Sequence, residues 1–147
     1  MKKNIIPKCI RLKNPLNIRY NKKAWKGEYR VPGKQTEFCE FIGFYYGYRA
    51  AYKLLYNTYY KKYGLKTVKQ IISRWAPPSE NNTCNYIKIV CNDLKVSQNQ
   101  DLGLVTAGGS PNIDVFTSLI KSMAKVEGCT LHTWDEIYEY LLLARYD

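Results

Sequence analysis

The stretch that most limits the fold of this chain is Gly64–Val90, GLKTVKQIISRWAPPSENNTCNYIKIV. Thr67 and Gln70 have capping-box spacing: the Thr hydroxyl can accept from an orphan N–H while the Gln reaches back to the cap. Val68, Ile71, Ile72 and Trp75 then recur at helical spacing as one apolar stripe. Ala76-Pro77-Pro78 stops that helix, because Pro lacks an N–H and disfavours helical geometry in the residue before it. Ser79, Glu80, Asn81, Asn82 and Thr83 offer side chains that bond backbone groups, and one of them should cap a second helix. That helix shows Tyr86, Ile87, Val90, Cys91 and Leu94 on one side. The pattern is helix, rigid polar corner, helix, and a groove is expected at the corner.

The flanks fit one small domain. Residues 1–13 read as a basic arm, and Asn14-Pro15-Leu16-Asn17-Ile18-Arg19 as an extended or turn segment. Tyr20 to Gln35 reads as a loop with a short hairpin around Trp25-Lys26-Gly27, and Glu37 to Phe41 alternates at the strand period of two. An α-helix is expected over about 45–63, with Tyr48, Ala51, Tyr52, Leu55 and Tyr59 in its stripe and Gly64 after its end. Residues 97–111 read as a Gly-rich polar linker. Ile113 to Val126 reads as a helix with Phe116, Leu119, Ile120 and Met123 inward. Thr133 and Glu136 form another capping box, opening a last helix to about Arg145. The sum is an α+β fold, predominantly α, with a minor β element.

Composition narrows the function classes. A net charge of +11 over 147 residues points to anionic partners: nucleic acid, an anionic membrane surface or cell wall. The 14 tyrosines suit either stacking on bases and sugars or a core in which Tyr stands for Phe. No run approaches the ~18 apolar residues of a membrane span. The N-terminus has lysines but no apolar core of a secretion signal, so delivery outside a cytoplasm would need another route. The five cysteines form no CxxC pair and read as free thiols. The one histidine, His132, has no cysteine cluster near it, so neither a metal nor a cofactor is expected.

Few residues are placed to do chemistry. Ala107-Gly108-Gly109-Ser110-Pro111 lacks the lysine of a phosphate loop. Glu80, in the polar corner, suits either an acid or a local bond to backbone N–H groups. Glu127 closes an apolar helix just before Gly128. A carboxylate there faces the negative end of the helix dipole, and apolar neighbours strip its water, so both effects favour the protonated acid. A general acid for glycosidic cleavage needs that state. A solvated surface glutamate is the plainer reading. Lys22, Lys23, Lys26 and Arg30, interleaved with Tyr20, Trp25 and Tyr29, read as a solvated face or as a track for a phosphodiester chain.

Two resemblances add to this. The succession NPLNIR, WKGE, Phe38-x-x-Phe41, YGYRA and RWAPPSENNTCNYI resembles the phage-associated family labelled structural protein P5, over Asn14 to Val90. The family label implies a virion component and no particular activity. The second resemblance is to lytic transglycosylases and glucosaminidases of the lysozyme superfamily. Asn14–Arg19 is similar to their Asn-Asn-x-x-Gly-Ile-Lys turn, Glu37–Phe41 to their Phe-rich strand, and Asn82–Ile87 to their Thr-Asp-x-x-Tyr-Ala helix start. Ser118–Gly128 is similar to their Glu-bearing helix, but stands at the other end of the chain.

That resemblance implies a circularly permuted lysozyme-like domain over 14–147, cutting the glycan strands of peptidoglycan. Glu127 would be the general acid and Glu80 the candidate second carboxylate, with Glu37 another. Asn17, Arg19, Trp75, Asn81, Thr83 and Tyr86 would hold substrate. The protein would be virion-associated, or made in the host cytoplasm and delivered to the wall. The alternative is a non-catalytic, basic virion protein that binds DNA or membrane.

Overall fold

A computed structural model of the protein describes residues 5–79 and 81–147. Among the described residues, six α-helices, one π-helix and a two-stranded antiparallel sheet make up a single, predominantly α, α+β domain. The helices are α1 (Lys8–Leu12), α2 (Phe44–Lys53), α3 (Val68–Trp75), α4 (Thr83–Leu94), α5 (Ile113–Val126) and α6 (Trp134–Tyr146). The strands β1 (Glu28–Tyr29) and β2 (Glu40–Phe41) pair Glu28 with Phe41 and Tyr29 with Glu40. No helix among the described residues is long and apolar enough to cross a membrane.

Local chemistry sets most helix ends. Thr67 and Thr133 both make full capping boxes, with Gln70 and Glu136. Asn82 is the residue of the polar corner that caps α4, its side chain accepting from the Asn85 N–H at 3.2 Å. At the end of α5, Gly128 takes φ +98°. Its N–H donates to Lys125 O and that of Cys129 to Ala124 O, the paired bonds that close a helix through a left-handed residue.

α5 is the central element. Phe116, Leu119, Ile120 and Met123 are fully buried, and α4 and α6 pack on either side. Tyrosine does serve as core: Tyr48, Tyr52, Tyr59 and Tyr86 are all buried. α2 packs across α6, and α3 against α4.

The long helix expected over 45–63 is α-helical only to Lys53; Leu54–Lys62 winds as a π-helix. Its side chains explain why. Tyr48, Tyr52, Tyr56 and Tyr60 repeat every fourth residue, longer than the α period of about 3.6. Keeping that file on one face requires looser winding, as in any repeat that outruns the helix period. Tyr52, Tyr56 and Tyr60 stack nearly parallel, at interplanar angles of 11° and 10°.

Two loops are firmer than their composition suggests. The turn at Trp25–Glu28 does not fold into a local hairpin. Gly27 at φ +76° turns the chain, and β1 then pairs with the distant β2. Glu28, with its side chain 1% exposed, accepts from Arg30 Nε at 2.6 Å and from the Trp25 N–H at 3.0 Å. In the 97–111 segment Leu102 and Leu104 are buried, and Thr106 N–H donates to Ser110 O at 2.8 Å. The basic arm is helical over Lys8–Leu12, with Cys9 buried.

Gly47, buried in α2, lies against the backbone of the segment that precedes the Asn14 turn. A Cβ there would stand 2.3 Å from Lys13 O and 2.8 Å from Pro15 Cδ. Ala in a helix gains about 1 kcal/mol over Gly in propensity. A main-chain carbonyl cannot rotate away, so strain wins, and Gly47→Ala should lose about 1–3 kcal/mol in urea unfolding. Unchanged stability would mean that the two segments are not in contact.

Candidate functional site

The side chain of Glu127 is held from two sides. Asn17 Nδ2 donates to Oε1 at 2.9 Å and the Tyr86 hydroxyl donates to Oε2 at 3.0 Å. Asn17 Nδ2 also lies 3.3 Å from the Glu127 carbonyl oxygen, at the C-terminal end of α5. The Tyr86 hydroxyl lies 3.4 Å from Met123 O, a longer alternative for its single proton. Burial, and then the neighbouring Glu127, push the Tyr86 phenol well above its ordinary range, so this hydroxyl keeps its proton and remains a donor.

Each partner is fixed by its own element. Tyr86 stands on the first turns of α4, inside the core. Asn17 has a left-handed backbone, φ +53°, which Asn tolerates better than most residues. The turn that holds it is organised by buried Asn14. Asn14 Nδ2 donates to Ile18 O at 3.0 Å and to Cys39 O at 2.9 Å, and its Oδ1 accepts from the Ile18 N–H at 2.9 Å. An Asn-Pro turn is thereby bonded to the β2 region and presents Asn17 to α5.

Glu127 lines a cleft of about 410 Å³. Trp25 and Trp75 line it too, with Tyr59 packed edge-on to Trp75 at a centroid distance of 5.8 Å. Glu127 is the sole carboxylate in the lining among the described residues; Lys8 and Arg19 are its cations. Half-buried indole faces beside a carboxyl and amide groups suit a sugar ring, which offers flat C–H faces and many hydroxyls.

Five residues expected from the sequence to supply the acid or hold a glycan share this cleft: Asn17, Arg19, Trp75, Asn81 and Glu127. Tyr86 reaches Glu127 from within the core. Thr83 turns away: buried, it donates its hydroxyl to Ala76 O and stitches the corner together. Glu80 lies outside the described residues. Glu37 is exposed and pairs with Arg19 at 3.3 Å. His132 is elsewhere, with Nδ1 2.9 Å from the Tyr48 hydroxyl in a cluster with Phe44 and Tyr140. Burial lowers its pKa. Among the described residues no group of three or more His, Cys, Asp or Glu is arranged to hold a metal.

Sequence reasoning did not single out Lys8, Phe38, Tyr59 or Asn21 for this lining. Tyr59 carried a signal, as the last residue of the apolar stripe expected over 45–63, next to a Trp-bearing helix. Lys8 and Phe38 carried none, since they meet only through tertiary packing.

No family model matches the chain. Over 132 residues it is 37% identical to Protein P5 of Pseudoalteromonas phage PM2, a match spanning 87% of this chain and 76% of that protein.

Proposed function

The chain belongs to the phage P5 family, and from that premise we propose that it is a phage-derived enzyme that cuts the glycan strands of peptidoglycan. The observation that carries this reading is the Glu127 carboxyl, clamped by Asn17 and Tyr86 at the wall of a cleft lined by two tryptophans. The domain is then a lysozyme-like fold in circular permutation, its acid-bearing helix joined at the end of the chain.

A single general acid suits a lytic transglycosylase, in which the sugar's own hydroxyl attacks, while a hydrolase needs a carboxylate pair, for which Glu80, outside the described residues, and Glu37 are the candidates. Glu127 gives its proton to the glycosidic oxygen as the C1–O bond breaks. The sugar's own 6-hydroxyl attacks C1, its proton passes to the Glu127 carboxylate, and a 1,6-anhydro end forms with the acid restored. Asn17 and Tyr86 keep the carboxyl aimed through the cycle. The tryptophans and Asn81 hold the neighbouring sugars. The charge of +11 holds the protein on an anionic wall, an attraction that salt weakens.

Mass spectrometry of purified wall after digestion tests this. The expected products are muropeptides with 1,6-anhydro ends. Reducing ends would turn the assignment to a hydrolase, and undigested wall would overturn it.

A second reading rests on charge. Between Glu40 and Glu80 the sequence has no acid, but it has Arg49, Lys53, Lys61, Lys62, Lys66, Lys69 and Arg74. A virion protein holding packaged DNA through such a segment needs no catalysis. It would bind DNA steeply as salt is lowered and leave wall intact.

A further inference from the structure

We infer that Lys8, Phe38 and Arg19 form a carboxylate subsite in the cleft, so that its ligand is a glycan bearing acidic substituents and not a neutral one. The inference rests on the glycan-cleaving reading above and names its substrate class.

All three residues line the same cleft as Glu127. Lys8 Nζ sits 3.9 Å from the Phe38 ring centroid, and the Arg19 guanidinium carbon 5.2 Å from it. One aromatic ring thus gathers two cations at the wall of the site. A ring face attracts an ammonium without neutralising it. Lys8 therefore brings both its charge and its N–H donors to an incoming anion. Arg19 pairs with Glu37 at 3.3 Å, but both side chains are more than half exposed, 58% and 68%. An ion pair so open to water is weak, and a ligand carboxylate can share the guanidinium.

The position of Lys8 is not accidental to the site. Its neighbour Cys9 is buried in the same core as Cys129, two residues beyond Glu127. The short helix carrying Lys8 is therefore anchored in the same core as the segment that carries the acid. Glu127 itself is engaged by Asn17 and Tyr86, so it does not compete for Lys8 as a salt-bridge partner. In peptidoglycan every second sugar bears a lactyl ether that ends in a peptide or a free carboxylate. Chitin lacks that group. A cleft whose described lining sets Lys8 and Arg19 beside Glu127 suits the first polymer.

Tryptophan fluorescence can follow binding, because Trp25 and Trp75 line the cleft. The titration uses Glu127→Gln protein, to block turnover, with two probes: chitotetraose, and a muropeptide tetrasaccharide carrying its stem peptides. The muropeptide should bind about tenfold more tightly or better, a difference of about 1.4 kcal/mol. Adding Lys8→Gln should remove about tenfold of muropeptide affinity and leave chitotetraose unchanged, while Lys8→Arg should retain the preference. Equal binding of both probes, or equal loss on both, overturns the subsite and leaves the glycan reading standing. Binding of neither probe overturns the glycan reading and the subsite with it.

Discussion

Glu127→Gln should lower the rate at which the purified protein clears peptidoglycan by about 10²- to 10⁴-fold, the usual worth of a general acid. Gln has almost the same shape and cannot give up a proton to the glycosidic oxygen. The folded protein should survive the change. Asn17 and Tyr86 both donate to this side chain, and an amide offers one acceptor where the carboxylate offered two. One donor is left facing an NH₂ group, at a cost of about 1–3 kcal/mol. Zymography on wild type and variant, with urea unfolding as a control, separates loss of chemistry from loss of fold. Equal clearing by the two proteins would remove Glu127 from the mechanism.

The largest expected effect on stability is at Asn14, which is 1% exposed. Asn14→Ala strands the buried Cys39 carbonyl and the Ile18 N–H, while the Ile18 carbonyl keeps the Cys39 N–H at 2.9 Å. Each orphaned group costs about 1–3 kcal/mol, and the effects within one turn add incompletely, so about 2–4 kcal/mol in all is expected. In a domain of this size that lowers the melting temperature by about 5–15 °C. Asn14→Asp should do no better, because a buried carboxylate has no N–H to offer the two carbonyls. Activity should fall further than stability alone explains, since the same turn presents Asn17 to Glu127. A melting temperature within a degree or two of wild type would show that the turn does not depend on this side chain.

Caps and stops were the legible part of the fold. Thr67, Asn82, Thr133 and Gly128 each act through groups within a few residues, so their spacing alone reveals them. The winding of Leu54–Lys62 was hidden, because the apolar stripe of Tyr48, Tyr52 and Tyr59 fits a helix of either pitch; only the strict fourfold tyrosine file hints at the looser one. Trp25 was similarly hidden: its turn is shaped by Glu28 and Arg30, and the strand it opens pairs across the chain with β2. In the cleft, Asn17 and Glu127 lie in local motifs that resemble those of wall-cutting enzymes, and Trp75 stands at the end of a helix legible from its cap and its Pro-Pro stop. Lys8 and Phe38 come from separate segments that no motif joins. Asn14 was read as part of a turn, but its two long reaches to other backbone groups are visible only in three dimensions. Thr83 shows the converse: a polar residue at a corner has backbone to satisfy first, and here Ala76 O claims its hydroxyl.

The π-helix bears on how this protein can change in length over evolution. A stretch bonded one residue further along than an α-helix holds slack: deleting a residue from Leu54–Lys62 lets the segment tighten to ordinary winding with its backbone bonds remade. Everything downstream would then rotate about the helix axis, carrying Tyr59 away from Trp75 and opening the wall they form together. Homologues of this chain can therefore shorten here and keep a helix, but those that do so must find another side chain to close that flank.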